Sequence, residues 1–547
     1  MAIITVNNAV KRPVRMTFKK HAQSMISTLV GVTSCCLCAA VLAEGKWQVK
    51  PSLKVASIYS DNIGLEPNGE SDLVLEVSPG ISVNRAGRRL SVNLDYSLQN
   101  LVYMDDSDLD RSNHQLSTDL NTEILTDTLF LDFTSSISQQ LTSQRASGSS
   151  DRISGSGNFS DVFTYSASPY WQQNLGDVAD FELRYTYDMV KSDDSVGIGS
   201  DDSDSNGIAF DTQNGSATGR INWSVSYASQ QISYDDGGKS DTESTNARIG
   251  YQLTQSFNSF ISGTDEDNEF SGGRGDENPE DSTYGAGFTW TPSQDFSLTA
   301  LYNKRTDARP DEKERFASGD VFWAPTTRTD INFGFGSRFF GDTYNAKVNH
   351  RTRWTQWNLS YDEGVSDFRT LALQTSLIAC PANATNLAQC RILAPGEALQ
   401  PGELLLGSNQ GLASVVNVGI TDDTFINETA RASVSIVGAR NTVTLSLTDS
   451  KRTFVSDNAT EEDAAVDLAW TYQFASRTAS RLTLGRTESQ FDDGQKDDFM
   501  RYAWRITSEI GGNSIFYVEA QVNERDSDLL ADRYDENRLT VSFERFF

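Results

Sequence analysis

Apolar and polar residues alternate with a period of two along most of the chain beyond residue 46. The alternation is regular over residues 73–83, 90–99, 442–448 and 516–523. Because successive side chains of a strand point to opposite faces of a sheet, this period predicts strands with one apolar and one polar face. No window of ten residues beyond the amino-terminal segment shows the i, i+3, i+4 spacing of an amphipathic helix. The pattern therefore predicts an all-β protein.

Two kinds of connection separate the predicted strands, and they take turns along the chain. Short connections lie near residues 86–88, 126–127, 176–177, 219, 255, 292–294, 325–326, 352–353, 438–440, 476–477 and 511–513. Mostly longer, acidic, Ser- and Gly-rich connections lie at residues 61–70, 142–154, 192–206, 265–281, 307–314, 365–423, 457–463 and 526–533. Short turns on one side and long loops on the other are typical of outer-membrane barrels, whereas a β-sandwich or propeller has no reason to segregate them.

These connections give the number of strands. Eleven short turns join 22 strands, and one further strand at each end brings the number to about 24, within a range of roughly 18–26. We therefore predict a transmembrane antiparallel outer-membrane β-barrel over residues 44–547, with short periplasmic turns and long acidic extracellular loops.

The tryptophans are concentrated near the short turns. Trp47 opens the first strand on that side, and Trp504 lies well inside a strand. The seven tryptophans within about five residues of a short turn are Trp171, Trp223, Trp290, Trp323, Trp354, Trp357 and Trp470. Indoles favour the headgroup level of a bilayer, so we predict an aromatic girdle at the short-turn side. Core tryptophans of a soluble protein, the alternative, would be scattered along the strands.

The last predicted strand ends in an aromatic residue. Leu539, Val541, Phe543 and Phe547 alternate with polar residues. This pattern resembles the terminal strand that the bacterial outer-membrane barrel assembly machinery recognises, and it implies that this machinery is a partner. Arg545 departs from the pattern, which usually has an apolar residue two positions before the end.

The first 43 residues have the features of an export signal. Five basic residues and no acidic one precede an apolar stretch at residues 25–42, and Val41-Leu42-Ala43 is a small-x-small cleavage pattern. This arrangement predicts a secretory signal peptide over residues 1–43. Removing its five positive charges takes the formal charge from −29 to about −34. A second interpretation is a lipoprotein signal, because residues 32–35 resemble a lipobox that ends at Cys35.

Composition excludes several classes of protein. The chain has 75 Asp and Glu against 46 Lys and Arg, and nucleic-acid binders need clustered basic residues, so we expect no nucleic-acid partner. An aromatic content of 10% is too high for a disordered chain. Beyond residue 43, no apolar run reaches the roughly 20 residues of a spanning helix, which excludes a helical membrane protein. A β-barrel is compatible with all three observations, because its strands carry apolar residues only at alternate positions.

Residues 47–140 resemble one particular group of barrels. The resemblance is carried by Trp47-x3-Pro51-Ser52-Leu53, Tyr59-Ser60-Asp61-Asn62-Ile63, Val77-Ser78-Pro79-Gly80-Ile81 and Asp95-Tyr96. These motifs resemble the outer-membrane β-barrel proteins associated with the PEP-CTERM/exosortase and exopolysaccharide systems of Gram-negative bacteria. The resemblance implies a location in the outer membrane and an association with exopolysaccharide production. It implies no catalytic residues.

Catalytic chemistry finds little support in the sequence. Only His114 and His350 lie outside the predicted signal peptide. Ser117 and Asp119 are close to His114 in sequence, but an odd spacing along a strand places them on the opposite face. Two histidines are also too few for a His-rich metal site. We therefore expect a protein that is not an enzyme and has no cofactor.

One segment matches the first half of a calcium loop. Asp202, Asp204 and Asn206 have the spacing D-x-D-x-N-G, in which alternate oxygen atoms converge on a cation. Gln213 stands where the closing acid belongs, and no helices flank the segment. A solvated acidic loop tip is the alternative. Divalent cations that bridge acidic loops to lipopolysaccharide would need only charge density, and residues 265–269 would serve equally well.

The connection at residues 365–424 is long and contains both cysteines beyond the signal peptide, Cys380 and Cys390. In an oxidising compartment, such a pair most simply forms a disulfide, with free thiols as the alternative. The segment is rich in Leu and Val, which is unusual for an exposed loop. We expect either a lid folded into the barrel mouth or an extracellular cap that packs on neighbouring loops.

Together, these features predict that the protein functions as an outer-membrane channel. The first predicted strand begins at about Trp47, so we expect no plug domain before it, and a wide polar lumen would pass something hydrophilic. Exopolysaccharide export fits the family resemblance, with polysaccharide and export-system proteins as partners in addition to outer-membrane lipid and lipopolysaccharide. A general or solute-specific porin and a non-conducting structural or adhesive barrel are the alternatives.

Overall fold

The computed structural model describes residues 46–141, 153–154, 158–192, 202–214, 219–235, 237–272, 275–306, 313–367, 378–381, 391–392, 403–406, 424–455 and 457–547. The signal peptide predicted over residues 1–43, with its alternative lipobox, lies outside these ranges.

Twenty-four long strands form the body of the molecule, each of 10 to 16 residues. The first twelve are β1 Gln48–Ser60, β2 Asp72–Ala86, β3 Leu90–Tyr103, β4 Arg111–Leu125, β5 Leu129–Leu141, β6 Phe159–Asn174, β7 Asp180–Ser192, β8 Ser203–Gln213, β9 Ile221–Tyr234, β10 Lys239–Thr254, β11 Phe257–Gly272 and β12 Glu280–Ser293. The second twelve are β13 Phe296–Arg305, β14 Arg315–Thr326, β15 Thr329–Arg338, β16 Gly341–Arg351, β17 Thr355–Ser366, β18 Phe425–Val437, β19 Asn441–Phe454, β20 Thr460–Ala475, β21 Thr478–Gln490, β22 Lys496–Ile510, β23 Ser514–Ser527 and β24 Tyr534–Phe546.

The strands form one closed antiparallel barrel. Each strand pairs with its neighbours in the sequence, and β1 pairs with β24 from Ser52 opposite Phe546 to Ser60 opposite Arg538. Closure leaves no free sheet edge, which is the requirement for a sheet that crosses a bilayer. The predicted all-β antiparallel barrel and the predicted number of strands are confirmed.

The eleven predicted short connections all lie at one end of the barrel. The turn between β22 and β23 shows why the sequence bends there. Gly511 and Gly512 have φ values of 64° and 82°, a left-handed conformation that glycine adopts without steric cost. The other end carries mostly the longer connections, although β15 and β16 are joined there by residues 339–340 alone.

Several predicted loops are shorter than expected, because the strands continue into them. Residues 203–206 belong to β8, and residues 265–272 belong to β11, although both were predicted as loop. Their acidic side chains suit water, but a hydrogen-bonded ladder needs only backbone groups and tolerates polar side chains outside a bilayer. The acidic composition therefore identified the loop side of the barrel correctly, but the loops predicted from it are longer than the observed ones.

Two short helical turns and several short strands lie in the loop-side connections. Within the described ranges, the helical segments are two 3-10 turns, Ser107–Leu109 and Leu530–Asp532, and no helix there is long and apolar enough to cross a membrane. Gly275–Glu277 adds a short pairing at the end of β11. Ile378–Pro381, Arg391–Ile392 and Glu403–Leu406 form a separate three-stranded sheet.

A small apolar core lies at the loop-side end of β1, β2 and β3. Ile58, Val74 and Leu101 are at most 1% exposed and pack with Tyr103. Ile63, from the connection that follows β1, joins them. This core anchors the first extracellular loop against the barrel wall.

Candidate functional site: the barrel lumen

The two faces of the barrel differ in polarity, and β24 shows the difference most clearly. Leu539, Val541 and Phe543 are 40–48% exposed on the outer face. Thr540 and Ser542 alternate with them on the inner face and are buried. An apolar outer face around a polar inner face is the arrangement of outer-membrane β-barrels. The inner face, which encloses the lumen, is therefore the candidate functional site.

Neutral hydrogen-bonding side chains line the lumen along β9 to β16. The Asn258 amide donates to the Asn222 Oδ1 atom at 3.1 Å, and the Asn303 amide donates to the Ser318 hydroxyl at 2.7 Å. Further contacts of this kind join Thr264 to Thr283 and Thr289 to Thr299, and the Asn349 amide donates to the Asp330 carboxylate. Hydroxyls and amides both donate and accept hydrogen bonds, so this wall can exchange its internal bonds for bonds to a polar solute.

Glycines on the same wall make room for asparagine side chains. Gly250 lies opposite Asn222, Gly285 opposite Asn303, and Gly334 opposite Asn345 in register. A Cβ atom at any of the three glycines would come within 2.2–2.4 Å of the oxygen of the asparagine amide. The amides therefore lie across the glycine backbone, which keeps this part of the wall smooth and polar.

Acidic side chains cluster on the inner face of β3, β4 and β5. Asp95 lies opposite Ser117 in register, and Asp119 lies opposite Thr134, so both face the lumen beside Asp132. The Arg184 guanidinium from β7 donates to the Asp132 carboxylate at 2.9 Å. It also lies 3.9 Å from the centre of the Tyr170 ring, a cation–π contact that fixes its position.

Ion pairs bridge neighbouring strands towards the loop-side end. The best defined joins Arg305 and Asp281 through two parallel hydrogen bonds of 2.6 and 2.8 Å, and both side chains are almost fully buried. Bidentate pairs of this kind fix geometry as well as charge. Similar buried pairs join Arg452 to Asp463 and Arg525 to Asp497, and Arg538 pairs with Glu536 within β24.

The lumen presents hydrogen-bonding and charged side chains. Within the described part of the chain, no group of three or more His, Cys, Asp or Glu side chains is arranged to hold a metal ion. What the described residues offer a solute is hydrogen bonds from hydroxyls and amides, and charge from arginines and carboxylates.

The tryptophans of the predicted girdle lie towards the short-turn ends of their strands. Trp171, Trp290 and Trp323 each lie three residues from the short-turn end of their strands, on the outer face. All of the predicted set except Trp223, which is less exposed, are 42–52% exposed. Trp504 also faces outward but lies deeper, where it lines a groove of about 470 Å³ with Trp470 and Leu482.

The predicted assembly signal occupies the strand that closes the barrel. Leu539, Val541, Phe543 and Phe547 all point outward, and Phe547 is the most exposed of them at 65%. The Phe547 amide donates to the Pro51 carbonyl at 2.9 Å. The departing residue, Arg545, lies 5.4 Å from the centre of the Phe547 ring.

The calcium-like segment is part of a strand. Asp204 and Asn206 project from the outer face of β8, where the hydroxyl groups of Tyr187 and Tyr185 donate to them at 2.7 and 2.6 Å. Asp202, just before the strand, accepts a hydrogen bond from the Ser192 amide. Alternate side chains of a strand are spaced by about 6.6 Å, so these three residues do not converge as they would in a loop.

The remaining candidates divide between the two faces and the undescribed part of the chain. His114 lies on the outer face and contacts the Tyr96 hydroxyl at 2.8 Å, whereas Asp119 faces the lumen. His350 contacts the Thr329 hydroxyl at 2.8 Å. The Cys380–Cys390 pairing and the lid predicted within residues 365–424 lie outside the described residues, apart from the short strands named above.

The lumenal ion pairs were missed by reasoning from the sequence. Asp281 and Arg305 are 24 residues apart and lie on different strands. Both occupy polar positions that alternate with apolar or small residues, and this alternation is visible in the sequence. Their pairing depends on the register between β12 and β13, which the alternation within a single strand does not give.

Comparison with known proteins finds similarity of architecture alone. No protein-family model matches the chain, and no curated protein matches it. The FrpB iron transporter from Neisseria meningitidis, in apoprotein form, aligns with a TM-score of 0.44 and 10% identity over 92% of this chain and 81% of that chain. The siderophore receptor PirA from Pseudomonas aeruginosa aligns with a TM-score of 0.40 and 10% identity over 92% and 81%. OpdK from Pseudomonas aeruginosa aligns with a TM-score of 0.31 and 9% identity over 91% and 99%.

Proposed function

We propose that this chain is an outer-membrane channel for hydrophilic solutes and that its cargo is an exopolysaccharide on its way out of the cell. The observation that carries the proposal is the closed ring of 24 strands whose inner face carries hydroxyls, amides, arginines and carboxylates. An inner face that was apolar along its whole length would instead indicate a barrel that serves only as an anchor.

The size of the ring supports passage of large solutes. Neighbouring strands lie about 4.8 Å apart, and barrel strands tilt by roughly 40°, so a round ring of this many strands is about 48 Å across between backbones. Barrels of about 16–18 strands already leave an aqueous channel. A wider ring has room for a hydrated polymer.

Two features support a saccharide cargo. The wall of hydroxyls and amides along β9 to β16 matches the hydroxyl groups of a sugar, which donate and accept hydrogen bonds in the same way. The resemblance of residues 47–140 to barrels of exopolysaccharide systems points to the same class of cargo.

Further partners belong to this proposal. The outer face, with its exposed Trp, Leu and Phe side chains, is the surface for outer-membrane lipid, and the acidic strand ends are the surface for lipopolysaccharide through divalent cations. The barrel assembly machinery would insert the chain by its closing strand, and export-system proteins would deliver the polymer at the short-turn end.

A deletion strain tests the cargo. Loss of the protein is expected to reduce secreted polysaccharide, because the polymer loses its channel through the outer membrane, and the full-length chain supplied in trans is expected to restore secretion. The measurement is the uronic acid and neutral sugar content of the culture medium. Unchanged secretion in the deletion strain would contradict the exopolysaccharide assignment.

A solute porin is the second candidate, because the same polar ring would pass small solutes. The two functions differ in the deletion strain, where a porin would leave polymer secretion intact and would slow the uptake of small hydrophilic nutrients.

A further inference from the structure

A row of residues crosses five neighbouring strands at mid-height on the lumenal wall. Asp320 is the sixth of the 12 residues of β14, and Gly334 is the sixth of the 10 residues of β15. The sequence neighbours Trp290, Phe333 and Tyr344 are exposed on the outer face, which places the row on the inner face. The members lie directly opposite one another in register, in the order Thr289 on β12, Thr299 on β13, Asp320 on β14, Gly334 on β15 and Asn345 on β16.

The glycine leaves room for two oxygen atoms. A Cβ atom at Gly334 would collide with the Oδ1 atom of Asp320 from one side and with the Oδ1 atom of Asn345 from the other. Both side chains are exposed to the lumen. Within the described part of the chain, Asp320 receives no hydrogen bond. Because an ionised carboxylate only accepts hydrogen bonds, Asp320 offers a solute several vacant acceptor positions beside the Asn345 amide.

A hydroxyl donor lies on the other side of Asp320. The Arg248 Nη2 atom donates to the Thr289 hydroxyl at 2.9 Å, and the Thr289 and Thr299 hydroxyl oxygens are 3.1 Å apart. A guanidinium only donates, so the Thr289 oxygen accepts from Arg248 and its own proton is available to Thr299. Thr299 then retains its proton for a further partner. The row thus presents a donor next to acceptors, which matches sugar hydroxyls that both accept and donate.

An aromatic ring adjoins the row. Phe322 lies two residues from Asp320 on β14, on the same face, and is half-buried. Its ring offers an apolar surface to the C–H groups of a sugar, and convergent polar groups around an aromatic surface are typical of small-molecule sites. From Thr299 to Asn345 the row covers three strand spacings, about 14 Å, which accommodates one sugar ring and its hydrogen bonds at both ends.

Charges of both signs surround the row. Arg248 interacts electrostatically with Asp320. Lys347 lies two residues from Asn345 on the same face of β16, and Asp362 lies two residues beyond Ser360, which is opposite Lys347. These two cations and two carboxylates give the region little net charge, so it does not attract an anion strongly. A carboxylated sugar would in addition place its negative charge beside Asp320.

We propose that Asp320, Asn345, Phe322 and Thr299 form a binding subsite for an uncharged pyranose unit of the transported polysaccharide. The proposal rests on the channel function above and specifies the chemical class of its cargo. Hydroxyls of the sugar donate to Asp320 and accept from Thr299, and the sugar ring packs on Phe322.

Binding of defined oligosaccharides tests the subsite without relying on conduction. The probes are maltohexaose, cellohexaose, mannohexaose and hexagalacturonate, titrated into the folded full-length barrel in detergent and followed by saturation-transfer NMR. At least one neutral hexasaccharide is expected to bind wild type, at least fivefold more tightly than hexagalacturonate. Asp320→Ala is expected to weaken that binding about tenfold or more, because hydrogen bonds to a charged group are lost. Phe322→Leu, which keeps an apolar side chain, is expected to weaken it severalfold.

Asp330→Ala is the matched control. Asp330 also faces the lumen, four residues from Gly334 on β15, but its carboxylate accepts a hydrogen bond from the Asn349 amide at 2.7 Å. The control removes the same charge and is expected to bind the neutral sugar like wild type, and unheated gel migration verifies that each variant is folded. Absence of binding by all three neutral sugars, tighter binding of hexagalacturonate, or equal losses in D320A and D330A would overturn the proposal.

The channel function and the subsite can fail separately. A barrel that conducts ions but binds none of the neutral sugars would retain the channel function and refute the subsite. A barrel that binds a neutral sugar through Asp320 and does not conduct would support the subsite and refute the channel.

Discussion

At the scale of single residues, the lumenal wall depends on glycines, because asparagine amides occupy the space in which a side chain at these positions would lie. Gly285 shows the constraint most directly, because a Cβ atom there would lie 2.3 Å from the Asn303 Oδ1 atom and 2.8 Å from the Tyr302 carbonyl oxygen. The amide could rotate away, but the carbonyl belongs to the neighbouring strand and cannot move without breaking the ladder. Gly364 is the contrasting case, since a Cβ atom there would meet nothing within 4 Å.

Gly285→Ala is therefore expected to destabilise the barrel by about 1–3 kcal/mol, the usual cost of inserting a methyl group into a packed site. The measurement is the midpoint of urea unfolding in lipid vesicles. Gly364→Ala is the matched control and is expected to be neutral or slightly stabilising, because alanine loses less backbone entropy than glycine in a strand. Equal effects of the two substitutions would show that the Asn303 side chain and the Tyr302 carbonyl do not constrain this wall.

At the scale of strands, the contact between β1 and β24 decides whether the ring is closed. Ser60 from the first strand and Asn523 from β23 both donate to the Glu536 carboxylate of β24, at 2.6 and 2.8 Å. Arg538 donates to the same carboxylate, and both side chains of this pair are at most 2% exposed. On the outer face, Asn537 donates to Asp61 through its backbone and its side chain. One carboxylate thus joins three strands at the seam.

Glu536→Ala is expected to weaken closure by about 3 kcal/mol or more, because it leaves the Arg538 charge buried without this carboxylate. The measurement is the temperature at which the folded form on an unheated SDS gel converts to the unfolded form. Glu524→Ala, an exposed change on the outer face of β23, is the control and is expected to leave that temperature unchanged. A conversion temperature of Glu536→Ala equal to that of wild type would contradict the role of this carboxylate.

The same scale shows what the sequence could and could not predict. Alternation and the short turns predicted the barrel and the position of every periplasmic connection, because each is a local property of the chain. The loop-side ends of β8 and β11 were predicted poorly, since their acidic residues obscure strands that extend beyond the bilayer. The Arg305–Asp281 pair and the convergence of Asp320 and Asn345 over Gly334 were not predicted at all, because they arise from the register between strands.

At the scale of the whole molecule, the net charge of −29 has a structural meaning. Acidic residues such as Asp265, Asp267 and Glu269 lie on the outer face at the loop-side end of β11, where they are solvent-accessible above the apolar band. Inside the ring, arginines and carboxylates are distributed unevenly, with acids on β3 to β5 and arginines on β21 and β22. Such walls offer hydrogen-bonding groups and charges of both signs to whatever enters the lumen.

The central claim is that this lumen conducts, and single-channel recording in planar lipid bilayers tests it most directly. Full-length protein, folded as judged by its migration on an unheated gel, is expected to insert and to produce current steps of uniform size. Protein unfolded by boiling is the control and is expected to produce none. Folded barrel that enters the bilayer and leaves the current at the level of the lipid alone would contradict the channel function.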